Sequence, residues 1–520
     1  MRIGIDVGGT HTDAVLLNGD EILAVTKQLT TADAVTGIVA ALDAVLSEGA
    51  VKQSQIDMVM IGTTQFTNAI VERRQLSRVA AIRIVLPAGK GLVPMVDWPN
   101  DLAHAINGKG YLLTGGYLYD GRPAAELDND EIDDVIRDLV ASGIKNIAIS
   151  SAFSPMNSGP ETAVSDRILK AIPDARITLS HKFNKLGLIE RENAAILNTT
   201  LLPFAQKVVA AFMSAFSKRD LNCPVFISQN DGTLMSASFV AAYPALTFAS
   251  GPTNSLRGAY KLTGLDEAIV VDIGGTTSDI GILRRGFPRE SNNIVNIGGV
   301  RTNFRMPDIL AIGLGGGSIV SDQGAIVGPQ SVGHRLVEDG LVFGGNTLTA
   351  TDVLVASGQG GIGDPSAVQD IDKSLVEAAE ATIHEKLDRG IDMMKPGGKP
   401  MPVILVGGGA ILVTRDLSAA SKIYRPENAD VANAIGAAIA QIGGEAECML
   451  SYRDTPRTEA IERVTKEAVE KAVLAGADRK TVRAVEIEET AIPYMDASSM
   501  KVSVKVIGEI GTHFLEGGAA

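Results

Sequence analysis

The stretch VVDIGGTTSDIGIL, Val270–Leu283, decides how the rest of the chain is read. β-Branched residues run into Asp272, two glycines and two threonines follow, and Ser278-Asp279 leads into a second apolar run. The pattern predicts a strand, a tight turn free of bulky side chains, and a second strand. Gly274 and Gly275 can take backbone angles closed to other residues and let a ligand approach the amides. Thr276 and Thr277 add hydroxyl donors, while Asp272 and Asp279 are hard oxygen ligands of the kind Mg²⁺ prefers. Such a bend suits a phosphate and its metal. An echo lies at the N-terminus in IGIDVGGTHTDAVLL, Ile3–Leu17. There Asp6, Gly8, Gly9, Thr10 and Asp13 match Asp272, Gly274, Gly275, Thr276 and Asp279 at one constant offset. One Gly-Gly-Thr is weak evidence, since any hairpin can carry one, but two copies with matched aspartates point to a duplicated phosphate site.

At 520 residues the chain exceeds what one core usually holds. Its 45% hydrophobic and 21% charged residues are those of a globular protein. A net charge of −14, with no Lys/Arg block, argues against a nucleic-acid surface. Cys223 and Cys448 are the only cysteines and form no CxxC, so they are read as small hydrophobes. The chain starts on a strand pattern, and no uninterrupted apolar run reaches the ~18 residues of a membrane span. The expectation is a cytoplasmic protein with neither a leader nor a membrane partner.

Asn18-Gly19 marks a turn into a third strand, and helical spacing follows over 32–49. A buried strand at 56–61 ends in Gly62-Thr63-Thr64 before a helix through Asn68. Residues 98–122 read as an irregular Gly-rich insertion, and 190–216 as a helical pattern broken at Pro203. The second half repeats the plan, with its third strand near 294–296 and an apolar strand at 402–406 ending in Gly407-Gly408-Gly409. Beyond Glu445, a helix at 457–475 and alternating strands at 483–507 predict a C-terminal lobe. The expected division is 1–187, 188–445 and 446–520.

Two hairpin-led sheet domains followed by a late glycine run resemble the actin/sugar kinase/Hsp70 superfamily, an α/β fold of duplicated ribonuclease-H-like domains around an ATP cleft. No GxxxxGK[ST] is present, which excludes a P-loop. A closer resemblance rests on segments in order: the two hairpins, IGTTQFTNAIVER (61–73), LIERENAAILNTTLLP (188–203), SQNDGTLMS (228–236), ASGPTNSLRGA (249–259) and GLGGGSI (313–319). The stretches at 492–498 and 504–510 resemble the same family's tail. Together they resemble the hydantoinase A/5-oxoprolinase family across most of the chain. The resemblance implies the A-type subunit of an ATP-dependent ring-opening amidohydrolase, in which phosphorylation of a lactam or cyclic imide oxygen precedes attack by water. It also implies a hetero-oligomer with a B-type or thiohydantoin-acting partner, since the A-type pattern uses up these 520 residues. His11 stands where the family usually carries an aromatic, and Ser331–Arg335 replaces a stretch containing Pro and Cys. Both departures bear on the substrate more than on ATP.

On this reading Asp6 and Asp272 are the catalytic carboxylates, and together with Asp279 they hold Mg²⁺. Gly8, Gly9, Thr10, Thr12, Gly274, Gly275, Thr276 and Thr277 hold the phosphates, and Gly407, Gly408 and Gly409 pack on the adenosine. Substrate candidates are His11, Thr63, Thr64 and Asn68. His11 could equally be a polar turn residue facing solvent, and Thr64 could simply cap its helix. His334 reads as an ion-pairing loop residue or a pocket liner, and Glu190–Asn193 as a cleft-facing cluster or a solvated helix start. The remaining histidines, His104, His181, His384 and His513, show no ligand spacing. Rival functions are a small-molecule kinase sharing the same phosphate site, and an ATP-driven activator of another enzyme with Cys223 or Cys448 at an iron–sulfur cluster.

Overall fold

The structure is a computed structural model that describes residues 1–30, 34–118, 122–183, 187–291, 294–492 and 498–511. His513 and most of the 492–498 stretch lie outside the described residues.

Apolar alternation at the N-terminus forms the strands Arg2–Val7, His11–Asn18 and Glu21–Leu29, which pair antiparallel in sequence order. The chain then crosses through the helix Ala34–Glu48 to Met58–Thr63, which lies parallel to the first strand. Val225–Ser228 adds itself parallel beyond that. The order third-second-first-fourth-fifth is that of a ribonuclease-H-like sheet. The second half repeats it with Ile309–Ile312, Ser278–Arg284, Ala268–Ile273, Met401–Val406 and Ala420–Tyr424. The duplication seen in two sequence hairpins therefore extends to two whole sheets, each over its own apolar core.

Several local expectations change. The third strand of the second half is Ile309–Ile312, because Val295–Ile297 folds back at Gly298-Gly299 onto Val300–Thr302 as a separate two-stranded ribbon. The insertion expected to be irregular contains the helix Asn100–Ile106 and the strand Lys109–Thr114. That strand belongs to a four-stranded parallel sheet with Ala80–Leu86, Asn146–Ser151 and Arg176–Leu179. Pro203 does not interrupt Leu188–Ser217, a single 30-residue helix packed along the first core. This helix is long and apolar enough to cross a membrane, yet 56% of its apolar window is buried within the fold.

The first sheet draws strands from both sides of residue 187, since Val225–Ser228 and Leu234–Ser236 join it. The C-terminal α+β segment is also joined to it edge-on. Ile442–Ser451 touches the sheet through Leu234 and carries Ser499–Gly508 and Arg483–Ala491 outward, with Arg457–Ala475 packed against them. The halves meet where the helices Ser250–Thr263 and Ala432–Ile439 cross. A side chain at Gly258 would collide with the Ala432 carbonyl, and one at Gly436 with the Asn254 carbonyl. That close crossing brings both helices to the mouth of the cleft between the sheets.

Candidate active site

Both hairpin turns are built alike. The Gly8 amide donates to the His11 carbonyl and the Gly274 amide to the Thr277 carbonyl, each at 2.9 Å. They face each other: a side chain on Gly275 would meet the Thr10 methyl at 3.4 Å. Between them lies a cleft of about 470 Å³. Of the expected phosphate and adenosine residues, Gly8, Gly9, Thr10, Gly274, Gly275, Thr276, Thr277 and Gly407–Gly409 all line it, as do Asp6, Asp272 and Asp279. Thr12 does not. Its side chain is fully buried beneath the strand, 3.4 Å from the Thr30 hydroxyl.

The substrate candidates separate. His11 lines the cleft with Nδ1 3.2 Å from the Thr10 hydroxyl, its pKa held down by burial and by Lys27. Thr64 also lines it; its hydroxyl makes no cap but donates to the Val7 carbonyl at 3.4 Å. Thr63 is buried, its hydroxyl accepting from the Gln65 amide, and Asn68 sits on the exposed face of its helix. His334 lies on the cleft wall, and it is Arg335 that pairs with Asp339 at 3.0 Å.

In each hairpin the two aspartates are directly opposite cross-strand partners: Asp6 with Asp13, and Asp272 with Asp279. Like charges so placed repel. The first pair is relieved. Asn433 Nδ2 donates to Asp6 Oδ2 (3.1 Å) and to Asp13 Oδ2 (2.9 Å), and Asn254 Nδ2 donates to Asp6 Oδ1 (3.0 Å). Lys27, next in register on the third strand, stands 2.9 Å from Asp13 Oδ1. In the second hairpin the register position matching Lys27 is Ala311, and no cation stands there. Burial, with Asp272 adding its charge, pushes Asp279 up to about 7, and burial also raises Asp272, against a hydrogen bond from Ser255 and the charge of Lys27. Asp6 is pushed up to about 6, mainly by burial and against the two asparagine amides.

Gly62 and Gly407 make room for these carboxylates. A side chain on Gly62 would strike Asp6 Oδ1, and one on Gly407, held at φ +82°, would strike Asp272 Oδ1. The run Gly315–Gly317 braces the second turn, Gly316 and Gly317 donating to the carbonyls of Gly274 and Gly275 at 3.0 and 2.7 Å. Lys27, Gly62, Asn254, Ser255 and Asn433 escape a reading of the sequence, because each is one ordinary residue delivered from outside the two Gly-Gly-Thr segments.

Among the described residues no three His, Cys, Asp or Glu groups converge as a metal cage. A Mg²⁺ ion bound with phosphates needs only one or two carboxylates beside water and phosphate oxygens. The Asp272–Asp279 pair, in which Asp279 has no counter-charge in register, fits that requirement better than Asp6, whose oxygens are both engaged by asparagine amides.

A pH prediction follows for the protein free of metal and nucleotide. A carboxyl whose folded pKa is raised adds stability at low pH and loses it as pH climbs through the folded value. Asp279→Asn should therefore melt above wild type by several degrees at pH 8 and by roughly a third of that margin at pH 5. Equal melting differences at both pH values would show that Asp279 carries no buried charge.

Duplicated ribonuclease-H-like halves with opposed Gly-Gly-Thr turns define a protein of the actin/Hsp70 fold type. Residues 2–172 match the hydantoinase/oxoprolinase N-terminal region and residues 191–359 the hydantoinase/oxoprolinase region, so the chain belongs to that family. It is 25% identical over 389 residues to the caprolactamase subunit alpha of Pseudomonas jessenii, covering 69% of this chain and 54% of that one. The acetophenone carboxylase gamma subunit of Aromatoleum aromaticum is 26% identical over 401 residues, covering 68% and 53%. The chain thus spans about half the length of these relatives. The crystal structure of the ATP-dependent caprolactamase from Pseudomonas jessenii superposes with a TM-score of 0.78 at 19% identity, over 98% of this chain and 88% of that one. Nucleotide-free acetone carboxylase gives 0.70 at 18% identity, over the same shares. Both share the fold.

Proposed function

We propose that the chain is the ATP-using, A-type subunit of a ring-opening amidohydrolase that phosphorylates a cyclic amide oxygen. The observation that carries this reading is the face-to-face pair of Gly-Gly-Thr turns, each with an aspartate at its base that lines the cleft. Turn amides and hydroxyls at Gly8–Thr10 and Gly274–Thr277 hold the β- and γ-phosphates, as successive backbone N–H groups do in anion-binding nests. Gly407–Gly409 take the nucleoside side. Asp272 and Asp279 hold the Mg²⁺, which supplies charge neutralisation for phosphoryl transfer when bound. Asp6, fixed by two amides, orients the attacking oxygen, and His11 and Thr64 face the ring. An amide is a poor electrophile, and an oxygen carrying phosphate leaves far more easily.

The caprolactamase relative supports a lactam-type ring, and the two carboxylases support a second reading in which the same phosphate site serves a carboxylase subunit. Product analysis separates them, and a stable phosphorylated metabolite would instead indicate a kinase. The first test is thermal. Mg-ATP at about 100 times its dissociation constant should add roughly 2.7 kcal/mol of stability; no shift with any nucleotide defeats the reading.

The second test concerns completeness. The sequence contains no HExxH and no Gly-x-Ser-x-Gly nucleophile elbow. On this reading the phosphorylated ring is delivered to water held on a B-type or thiohydantoin-acting partner. The chain alone should bind ATP but show little turnover on hydantoins, lactams or 5-oxoproline, and adding the partner should restore ring opening with ADP release. Brisk ring opening by the lone chain would contradict this.

A further inference from the structure

The cleft wall is strongly acidic. Asp6, Asp13, Asp272, Asp279 and Asp430 all line it, in a chain of net charge −14. Among the described residues the only lysine or arginine on that wall is Lys27. A polyphosphate entering between five carboxylates needs cationic charge on the wall, and a cation bound at the second hairpin supplies it on one side alone.

Lys27 stands on the other side, and its placement crosses the cleft. It projects from the third strand of the first half, with Nζ 2.9 Å from Asp13 Oδ1. The same ammonium donates at 2.7 Å to the backbone carbonyl of Asp430, in the second half. The turn holding Asp430 is tied to the glycine run, because the Gly407 amide donates to the Ala429 carbonyl at 2.9 Å. A side chain on Gly408 would come within 4.0 Å of Lys27 Cε. An ammonium has three donors, of which Asp430 takes one, while Asp13 Oδ1 stands beside it as an ion-pair contact. The side chain lines the cleft and is 29% exposed, which leaves donors for an incoming anion. Its field also reaches both hairpins, lowering the pKa of His11 and opposing the rise at Asp272.

We propose that Lys27 is a phosphate-binding residue, its ammonium contacting the phosphate chain beyond the α-phosphorus from the first half while remaining tied to the glycine run of the second. This rests on the ATP reading above and assigns a residue that neither Gly-Gly-Thr segment contains.

The test is calorimetric titration of the full chain with Mg-ATP and with AMP. Losing one charge-assisted hydrogen bond should make Lys27→Gln bind ATP at least about tenfold more weakly, with AMP changed less than about twofold. Lys27→Arg should restore most of the ATP affinity. Unchanged ATP binding, or equal weakening for ATP and AMP, overturns the assignment and leaves Lys27 a structural tie between the halves. A measurement on the wild-type chain needs no variant to fold: amine acetylation mapped by mass spectrometry should slow at Lys27 with ATP but not with AMP. Equal labelling under both ligands would also overturn it. Wild-type protein that binds neither nucleotide defeats the proposed function itself, whereas wild-type ATP binding with an indifferent Lys27→Gln defeats only the lysine.

Discussion

Asp272→Asn should lower nucleotide turnover by the complete assembly by about 10³-fold or more, while the nucleotide-free chain stays at least as stable as wild type. The two halves of this expectation share one cause. Asp272 and Asp279 are half-buried, directly opposed, and have no lysine in register, unlike Asp13. In the empty cleft that pair is a liability, and a neutral amide at 272 relieves it. With phosphates bound, the same pair is the place where a divalent cation has most to gain, so removing one carboxylate withdraws charge stabilisation from the transferring phosphoryl group. A Mg²⁺ titration separates this from a positioning role. Asp272→Asn should need far more Mg²⁺ for half-maximal turnover, whereas Asp6→Asn should lose rate at an unchanged Mg²⁺ requirement. Near wild-type turnover by folded Asp272→Asn would reduce Asp272 to a structural carboxylate.

What could be read in the sequence follows how locally each feature is encoded. Each hairpin keeps its aspartates, glycines and threonines within eight residues, and the turn geometry is a property of those residues alone. Their repetition was therefore visible, and with it the duplicated fold. The balance of charge around them was not. Lys27 meets Asp13 through strand register, but Asn433 reaches Asp6 and Asp13 from more than 400 positions away, and Asn254 from about half that distance. Gly62 looked like the ordinary end of a strand, and only the position of Asp6 Oδ1 makes it obligatory. Thr12 misled for the opposite reason. Alternation along the strand turns its side chain away from the face that carries His11.

The cluster Glu190–Asn193 gives the other large prediction, since for three of its four residues neither reading survives. Only Glu190 is half-exposed at the helix start; Arg191, Glu192 and Asn193 face neither the cleft nor solvent, being buried where the long helix meets the inserted parallel sheet. Arg83, from a strand of that sheet, grips Glu192 with two bonds of 2.7 and 2.5 Å, and Ser150 adds a third at 2.7 Å. Asn193 accepts from the Trp98 indole at 2.8 Å, and Arg191 donates to the Ser151 carbonyl at 2.7 Å. A charged residue in a helical pattern looks solvated until a partner from another element is found, and Arg83 lies more than 100 residues upstream. Both members of the pair are only 2% exposed. Removing one partner leaves the other charge buried without its counter-ion, so Glu192→Ala should cost about 3–5 kcal/mol of stability. The double variant Arg83→Met/Glu192→Leu removes both charges together and should recover most of that loss. Denaturant unfolding of the three proteins decides the matter. A single variant within about 1 kcal/mol of wild type would mean that water reaches Arg83 and that the insertion is held by its apolar core instead.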